Sequence, residues 1–402
     1  MAWVTYDFAA VIRTFTNRNY AIFTIGNTIS LIGTWMQRLA VGWLMWELTE
    51  SGTWLGALAM AEFVPTIFVM PLSGVLADRL DRVWLSVLGQ ALACLQAIIL
   101  WVLLLVNTVT PEILLSLSLY LGIVSPFTQT ARLTIVPAMV PKAILVPAIA
   151  INSVIFNVAR VIGPAVAGII ISFYGIVTTI AINAISFSAV IIALLALRLE
   201  IPRTSNNSQR NIVTDLAEGW RYTYIHPVLG KLMSLLLVCT LFTWPLNSML
   251  PGIVATAFDG EPKTLAIYTS CIGTGAIVAG LWLAQRGNSG LATLVSIAVV
   301  VNGLSVALFS GLNTFWMGAA VLLIIGFVGA VVGTGSQTVV QSMVEESLRG
   351  RAVSVWYVTM TAGPAIGALI LGWLTETFGF GALFITGGLV TALAAAWNLG
   401  KT

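Results

Sequence analysis

Gly74-Val75-Leu76-Ala77-Asp78-Arg79-Leu80-Asp81-Arg82 sets four ionisable side chains between two long apolar runs, in a chain of 402 residues that is 58% hydrophobic and only 8% charged. A water-soluble fold cannot hide that much apolar surface. About 20 apolar residues wound as a helix, by contrast, cross about 30 Å of hydrocarbon with every backbone group paired internally. Such runs recur from one end of the chain to the other. Their lengths, and the turn-like residues between them, mark spans at 20–47, 53–77, 83–106, 111–136, 143–172, 177–197, 228–256, 264–284, 291–311, 315–344, 352–376 and 381–399. The expected fold is an all-α membrane protein of twelve transmembrane helices.

Charge orients these spans. With the amino terminus in the cytoplasm, fourteen of the eighteen Lys and Arg fall on that side, Lys263 falls outside, and Arg38, Arg132 and Arg160 lie within spans. This is the asymmetry of the positive-inside rule. It places both termini in the cytoplasm of a bacterial-type inner (plasma) membrane. Residues 1–20 carry Asp7, Arg13 and Arg18 and no short apolar stretch with a small-residue cleavage site, so no removable signal peptide is expected. Trp3, Tyr6, Phe8 and Phe15 suit an interfacial helix.

The longest polar stretch runs from Arg198 to Lys231 and divides the chain into a half at 1–198, a linker at 199–227 and a half at 228–402. The halves echo each other. Gly163-Pro164-Ala165-Val166-Ala167-Gly168 recurs as Gly363-Pro364-Ala365-Ile366-Gly367, and Leu133 to Val140 is matched more weakly by Gln337 to Val344. An even number of spans per half makes the repeats parallel, related by an axis along the membrane normal.

Several functions are excluded or disfavoured. His226 is the only histidine, and Cys94, Cys239 and Cys271 lie singly in apolar runs, so neither a metal framework nor a disulfide framework is expected. No phosphate-cradling GxxxxGK[ST] loop is present. No Ser/His/Asp set or carboxylate pair converges within spans, so the chain is read as no enzyme, with no cofactor and no nucleic-acid partner.

Two six-span halves, the Gly74 to Arg82 loop and the Gly-Pro motif of span five resemble the major facilitator superfamily over essentially the whole chain. Gly33 to Ala40, Asn152 to Pro164 and Gln341 to Arg351 further resemble the branch that holds bacterial enterobactin (siderophore) exporters and macrolide and drug efflux proteins. The resemblance implies two pseudo-symmetric six-helix halves, alternating access, a small-molecule substrate and a monomer. It also implies export by proton antiport, and a gate latch made by Gly74, Asp78, Arg79 and Arg82. Asp81 stands where the family often has glycine. The matching place in the second half, Gly280 to Gly287, has no acidic residue. Asp78 is therefore expected to dock on Arg349 and Arg351 at the start of span eleven.

Charges within spans cost roughly 2.5–3.5 kcal/mol each on insertion scales, so each needs a reason. Arg38 and Glu62 come at about 15 and 13 Å depth on neighbouring antiparallel helices, at ~1.5 Å per residue, which permits an ion pair. That pair is either a static clamp between spans one and two or a working group. Glu62 is the only carboxylate well inside the bilayer, and a solute competing for Arg38 would favour its neutral form. Arg160 precedes the Gly163-Pro164 bend and is aimed toward a central cavity, as Gly363-Pro364 would bend the second half. Arg132 either binds an anionic solute or pairs with Asp78. From the second half, Trp244, Asn247, Gln337, Gln341, Trp356 and Tyr357 are candidates for a pocket for a bulky anionic or amphipathic solute, though each is equally a packing residue. The rival readings are a transporter of another anion or a lipid, and a non-transporting receptor or scaffold.

Overall fold

The computed structural model describes residues 14–197, 199, 220–287 and 289–400, with the backbone alone at 71, 74, 75, 77–79, 131, 133, 134, 143 and 347. The expected interfacial helix at Trp3, Tyr6 and Phe8, and most of the expected linker, lie outside the described residues. Helices dominate: α1 (Arg18–Thr49), α2 (Gly52–Arg79), α3 (Arg82–Leu105) and α4 (Pro111–Met139) come first. A run from Leu145–Leu195 follows, then α7 (Pro227–Ala257), α8 (Pro262–Arg286), α9 (Leu291–Ser310), α10 (Phe315–Met343) and a run from Glu346–Leu399. Each long run is two rods. Gly175 (φ 80°, ψ 172°) and Gly379 (φ 73°, ψ 161°) leave helical geometry, in a region of backbone space that is essentially glycine's own. They separate α5 (145–174) from α6 (176–195) and α11 (346–378) from α12 (380–399).

Among the described residues, nine stretches, with each two-rod run counted once, are long and apolar enough to cross a membrane by length and composition; α1, which carries Asn27, Ser30, Gln37 and Arg38, is not among them. Polar caps set the starts. Asn17, Ser51, Asp81 and Thr110 accept from the backbone N–H three residues on, and Pro111, Pro227 and Pro262 stand in first turns where a missing N–H costs nothing. The cap role accounts for Asp81 where glycine is usual: its Oδ1 accepts from Trp84 N–H at 2.9 Å and starts α3.

The helix ends carrying the start of α1 and the α2–α3 turn form the near end of the bundle, and the opposite ends form the far end. Within the first half α1 packs on α5, where Gly163 leaves room for the Cβ of Trp35 and the carbonyl of Ile32. The second half repeats this: Gly363 and Gly367 let α11 close on Thr240 and Leu241 of α7. Helical geometry continues through Pro164 and Pro364, so the full backbone breaks lie downstream, at the two glycines.

The halves meet along two seams, α2 on α11 and α5 on α8. Gly56 lies directly against the main chain of Ala368 and Leu369, Gly52 against the Gly372 carbonyl and the Thr375 side chain, and Gly168 against Ala266. Trp46 meets Phe380 edge-on at 5.8 Å. Ser51 and Thr53 both donate to Glu376 Oε1, at 2.7 and 2.5 Å. All these contacts belong to the far end. The deepest join Val161 to Ser270, whose Oγ donates to the Val161 carbonyl at 3.1 Å, and to Gly273. Farther toward the near end, a Cβ built on Gly280 or Gly329 would meet nothing within 4 Å. The space between the halves is closed at the far end and opens toward the near end.

Candidate functional site

A cavity of about 560 Å³ lies between the halves. The first half lines it with Arg38, Glu62 and Arg160, and the second with Trp244, Asn247, Gln337 and Trp356. Seven of the ten residues expected on a solute or proton path are thus brought together. Arg132 and Tyr357 line a second cavity of about 390 Å³ that is built mainly from the first half. Gln341 is exposed and lines neither, because it lies a full turn nearer the near end than Gln337.

The ion pair suggested by matched depth is made: Arg38 Nη2 donates to Glu62 Oε1. Arg38 and Glu62 keep 42% and 28% of their side-chain surface exposed, and both line the two cavities, so water screens the pair and its members remain open to exchange. Arg38 is also stacked on aromatic faces, with its Cζ 4.8 Å from the Trp35 ring centre and 5.5 Å from that of Phe63. Trp35 in turn meets Phe156 edge-on at 5.9 Å, and Arg132 Cζ lies 5.7 Å from Phe156. Two touching rings, Trp35 and Phe156, therefore link the Arg38 and Arg132 cations across the two cavities. Among the described residues, Glu62 is the only carboxylate lining either one.

The second half supplies its groups through a break in α7. Pro245 has no N–H to donate, and a turn at 243–245 replaces the helix while Trp244 N–H reaches Cys239 C=O, five residues back, at 3.3 Å. This displaces Trp244 and Asn247 into the cavity. Trp356 Nε1 donates to Ser336 Oγ at 2.8 Å, which fixes the indole plane beside the cavity. No group of three or more His, Cys, Asp or Glu able to hold a metal is present among the described residues.

Three amides behind Arg38 were not singled out from the sequence. Asn183 Nδ2 donates to Gln37 Oε1 at 2.6 Å, and Gln37 Nε2 donates to Gln96 Oε1 at 2.9 Å. All three are at least 95% buried. They tie α1, α3 and α6 together and fix the face of α1 that carries Arg38. Trp35 and Phe63 were missed as well, although each lies within three residues of the charge it flanks. Of the expected gate, the side chains of Gly74, Asp78 and Arg79 lie outside the described ones, and Arg349 is exposed at the near end.

A family model described as a transmembrane secretion effector matches residues 9–400. The multidrug efflux pump Tap of Mycolicibacterium fortuitum is 27% identical over 90% of this chain and 88% of its own. The enterobactin exporter EntS of Salmonella choleraesuis is 27% identical over 88% of this chain and 84% of its own. A crystal structure of a peptide transporter superposes with a TM-score of 0.76 over 96% of this chain and 94% of that one, at 13% identity, and so shares the fold. The chain therefore belongs to the transmembrane secretion effector family and is a multi-pass membrane transporter of the major facilitator superfamily.

Proposed function

We propose that this transporter exports a bulky, partly aromatic solute of the siderophore or drug class in exchange for protons, by alternating access. One observation above all supports the reading: two arginines and a single carboxylate, Glu62, face an aromatic- and amide-lined cavity closed at its far end. The relatives whose names denote efflux add weight to the direction. Both termini and the near end are assigned to the cytoplasm, the halves to 1–198 and 228–402 about a linker at 199–227, and the working unit to a monomer. When the near end closes, Gly74, Asp78, Arg79 and Arg82 latch against Arg349 and Arg351.

The sign of coupling decides what the solute must touch. Competition for Arg38 alone would favour a proton on Glu62, and solute and proton would then travel in one direction. Exchange requires the opposite. A solute that donates a phenol hydroxyl or an ammonium to ionised Glu62, with its acidic group on Arg160, cannot share the site with the proton. Solute binding from the cytoplasm expels the proton, and a proton entering from outside releases the solute. Moving one charge through 100 mV supplies about 2.3 kcal/mol, enough for roughly a 50-fold gradient at 1.4 kcal/mol per tenfold.

The test is uptake of a labelled catecholate siderophore into inside-out vesicles, with and without an imposed proton gradient. Gradient-driven accumulation is expected, and Glu62→Gln should abolish it while downhill equilibration survives. Undiminished accumulation by Glu62→Gln would remove Glu62 from the coupling. No accumulation by folded wild-type protein would remove the siderophore.

A further inference from the structure

We infer that the 390 Å³ cavity of the first half is a separate subsite for an acidic group carried by an amphipathic aromatic solute, with Arg132 as the residue that recognises it. The inference rests on the central cavity being the transport site, and it assigns the second cavity a role of its own. Three observations support it. Arg132 Nε is buried and has no hydrogen-bond partner, an unusual state for so polar an atom. The described lining of the cavity offers neutral groups such as Gln90, Gln129 and Tyr357, and its one carboxylate, Glu62, is already engaged by Arg38. The cavity therefore holds positive charge that the described side chains leave unneutralised.

The third observation is continuity. Trp35, Arg38, Leu58, Glu62 and Phe63 line both cavities, so they form one wall seen from two sides. A solute seated by its rings against Trp244 and Trp356 can extend past this wall and place an acidic end on Arg132, with Phe156 flanking the guanidinium. Of the second half, only Tyr357 and Thr361 among the described residues, both on α11, reach this space. The subsite thus stays with the first half as the halves rock, and α11 alone changes its cover. A solute with one acidic group can place it on Arg160 or on Arg132, whereas one with an acidic group at each end is held at both cavities at once.

The test is photolabelling of the full chain in phosphatidylcholine nanodiscs with 4-benzoylbenzoate and, in parallel, its uncharged methyl ester, with labelled residues located by mass spectrometry. The acid should label α4 and α5 around Gln129 and Phe156 about tenfold more than the ester does. Arg132→Gln should abolish that difference and Arg132→Lys should preserve most of it, while labelling near Trp244 and Trp356 changes less than twofold in both variants. Equal labelling of α4 and α5 by acid and ester would overturn the inference. So would acid labelling that survives Arg132→Gln, the result expected if Arg132 serves a carboxylate of the protein. Displacement of the acid by phosphatidylglycerol would make a lipid headgroup the occupant and overturn assignment to a solute. Failure of the central reading looks different: no saturable label near Trp244 or Trp356, with the α4–α5 label intact.

Discussion

Replacing Gly56 by alanine should open the far end. A Cβ at that position would sit 2.7 Å from Leu369 Cα and 2.8 Å from the Ala368 carbonyl carbon. Both are backbone atoms of α11, so no side-chain rotation relieves the clash; the helices must separate. Overpacking of this kind costs about 1–3 kcal/mol, and here the cost falls only on the state in which α2 and α11 touch. The ratio of far-end-open to far-end-closed molecules should therefore rise by about 5- to 150-fold. Gly122 supplies the control. Its Cβ would come within 2.5 Å of the Ala61 carbonyl oxygen, an equally severe contact, but α4 and α2 belong to the same half and touch in both states. The assay is a spin-label distance between Asn107→Cys and Asn313→Cys in far-end loops, with Cys94, Cys239 and Cys271 replaced by alanine. Gly56→Ala should populate a longer distance, whereas Gly122→Ala should lower the melting temperature without one. An unchanged distribution in folded Gly56→Ala, or the same shift in both variants, would refute the reasoning.

Glu376→Ala removes the acceptor for Ser51 and Thr53; the same label pair should report a shift toward far-end opening, smaller than that from Gly56→Ala because these bonds are solvent-exposed. Gln37→Leu leaves Gln96 and Asn183 buried without their shared partner, at about 1–3 kcal/mol per unsatisfied group. A clear fall in the melting temperature of the detergent-solubilised protein is expected, and an unchanged one would deny that the amides stabilise the first half. Gly379→Ala meets no atom within 4 Å, so its whole cost is backbone strain at φ 73°, about 1–3 kcal/mol. Gly280→Ala, equally open but helical, should be neutral or stabilising in the same melt.

Features that repeat or oppose one another along the chain were legible before the structure. Matched depth paired Arg38 with Glu62, and the Gly-Pro repeat marked α5 and α11 as equivalent helices of the two halves; the structure adds that they cross α1 and α7. Features set by the rotation and displacement of helices were not. Gln37 is 59 residues from Gln96 and 146 from Asn183, and each reads as a lone amide in an apolar run; only assembled helices bring them to one level. Gln341 repeats the chemistry of Gln337 and shares its face, yet a further turn carries it out of the cavity. Trp244 reaches the cavity because α7 breaks at Pro245, and the second cavity is lined by residues from separate helices of the first half that only the assembled bundle brings together. Neither follows from periodicity.

The far-end seam has a consequence for the membrane itself. Where Gly52 and Gly56 meet Gly372 and Ala368, main chain lies directly on main chain, and every carbonyl there is already engaged in its own helix. Such a joint has no width for a file of water molecules, along which protons would hop, and the side chain set against Gly52, that of Thr375, is buried and held by its own bond to the Gly372 carbonyl. While the cavity stands open to one side, the bilayer remains electrically tight at the other, and the energised membrane is not short-circuited by its own transporter.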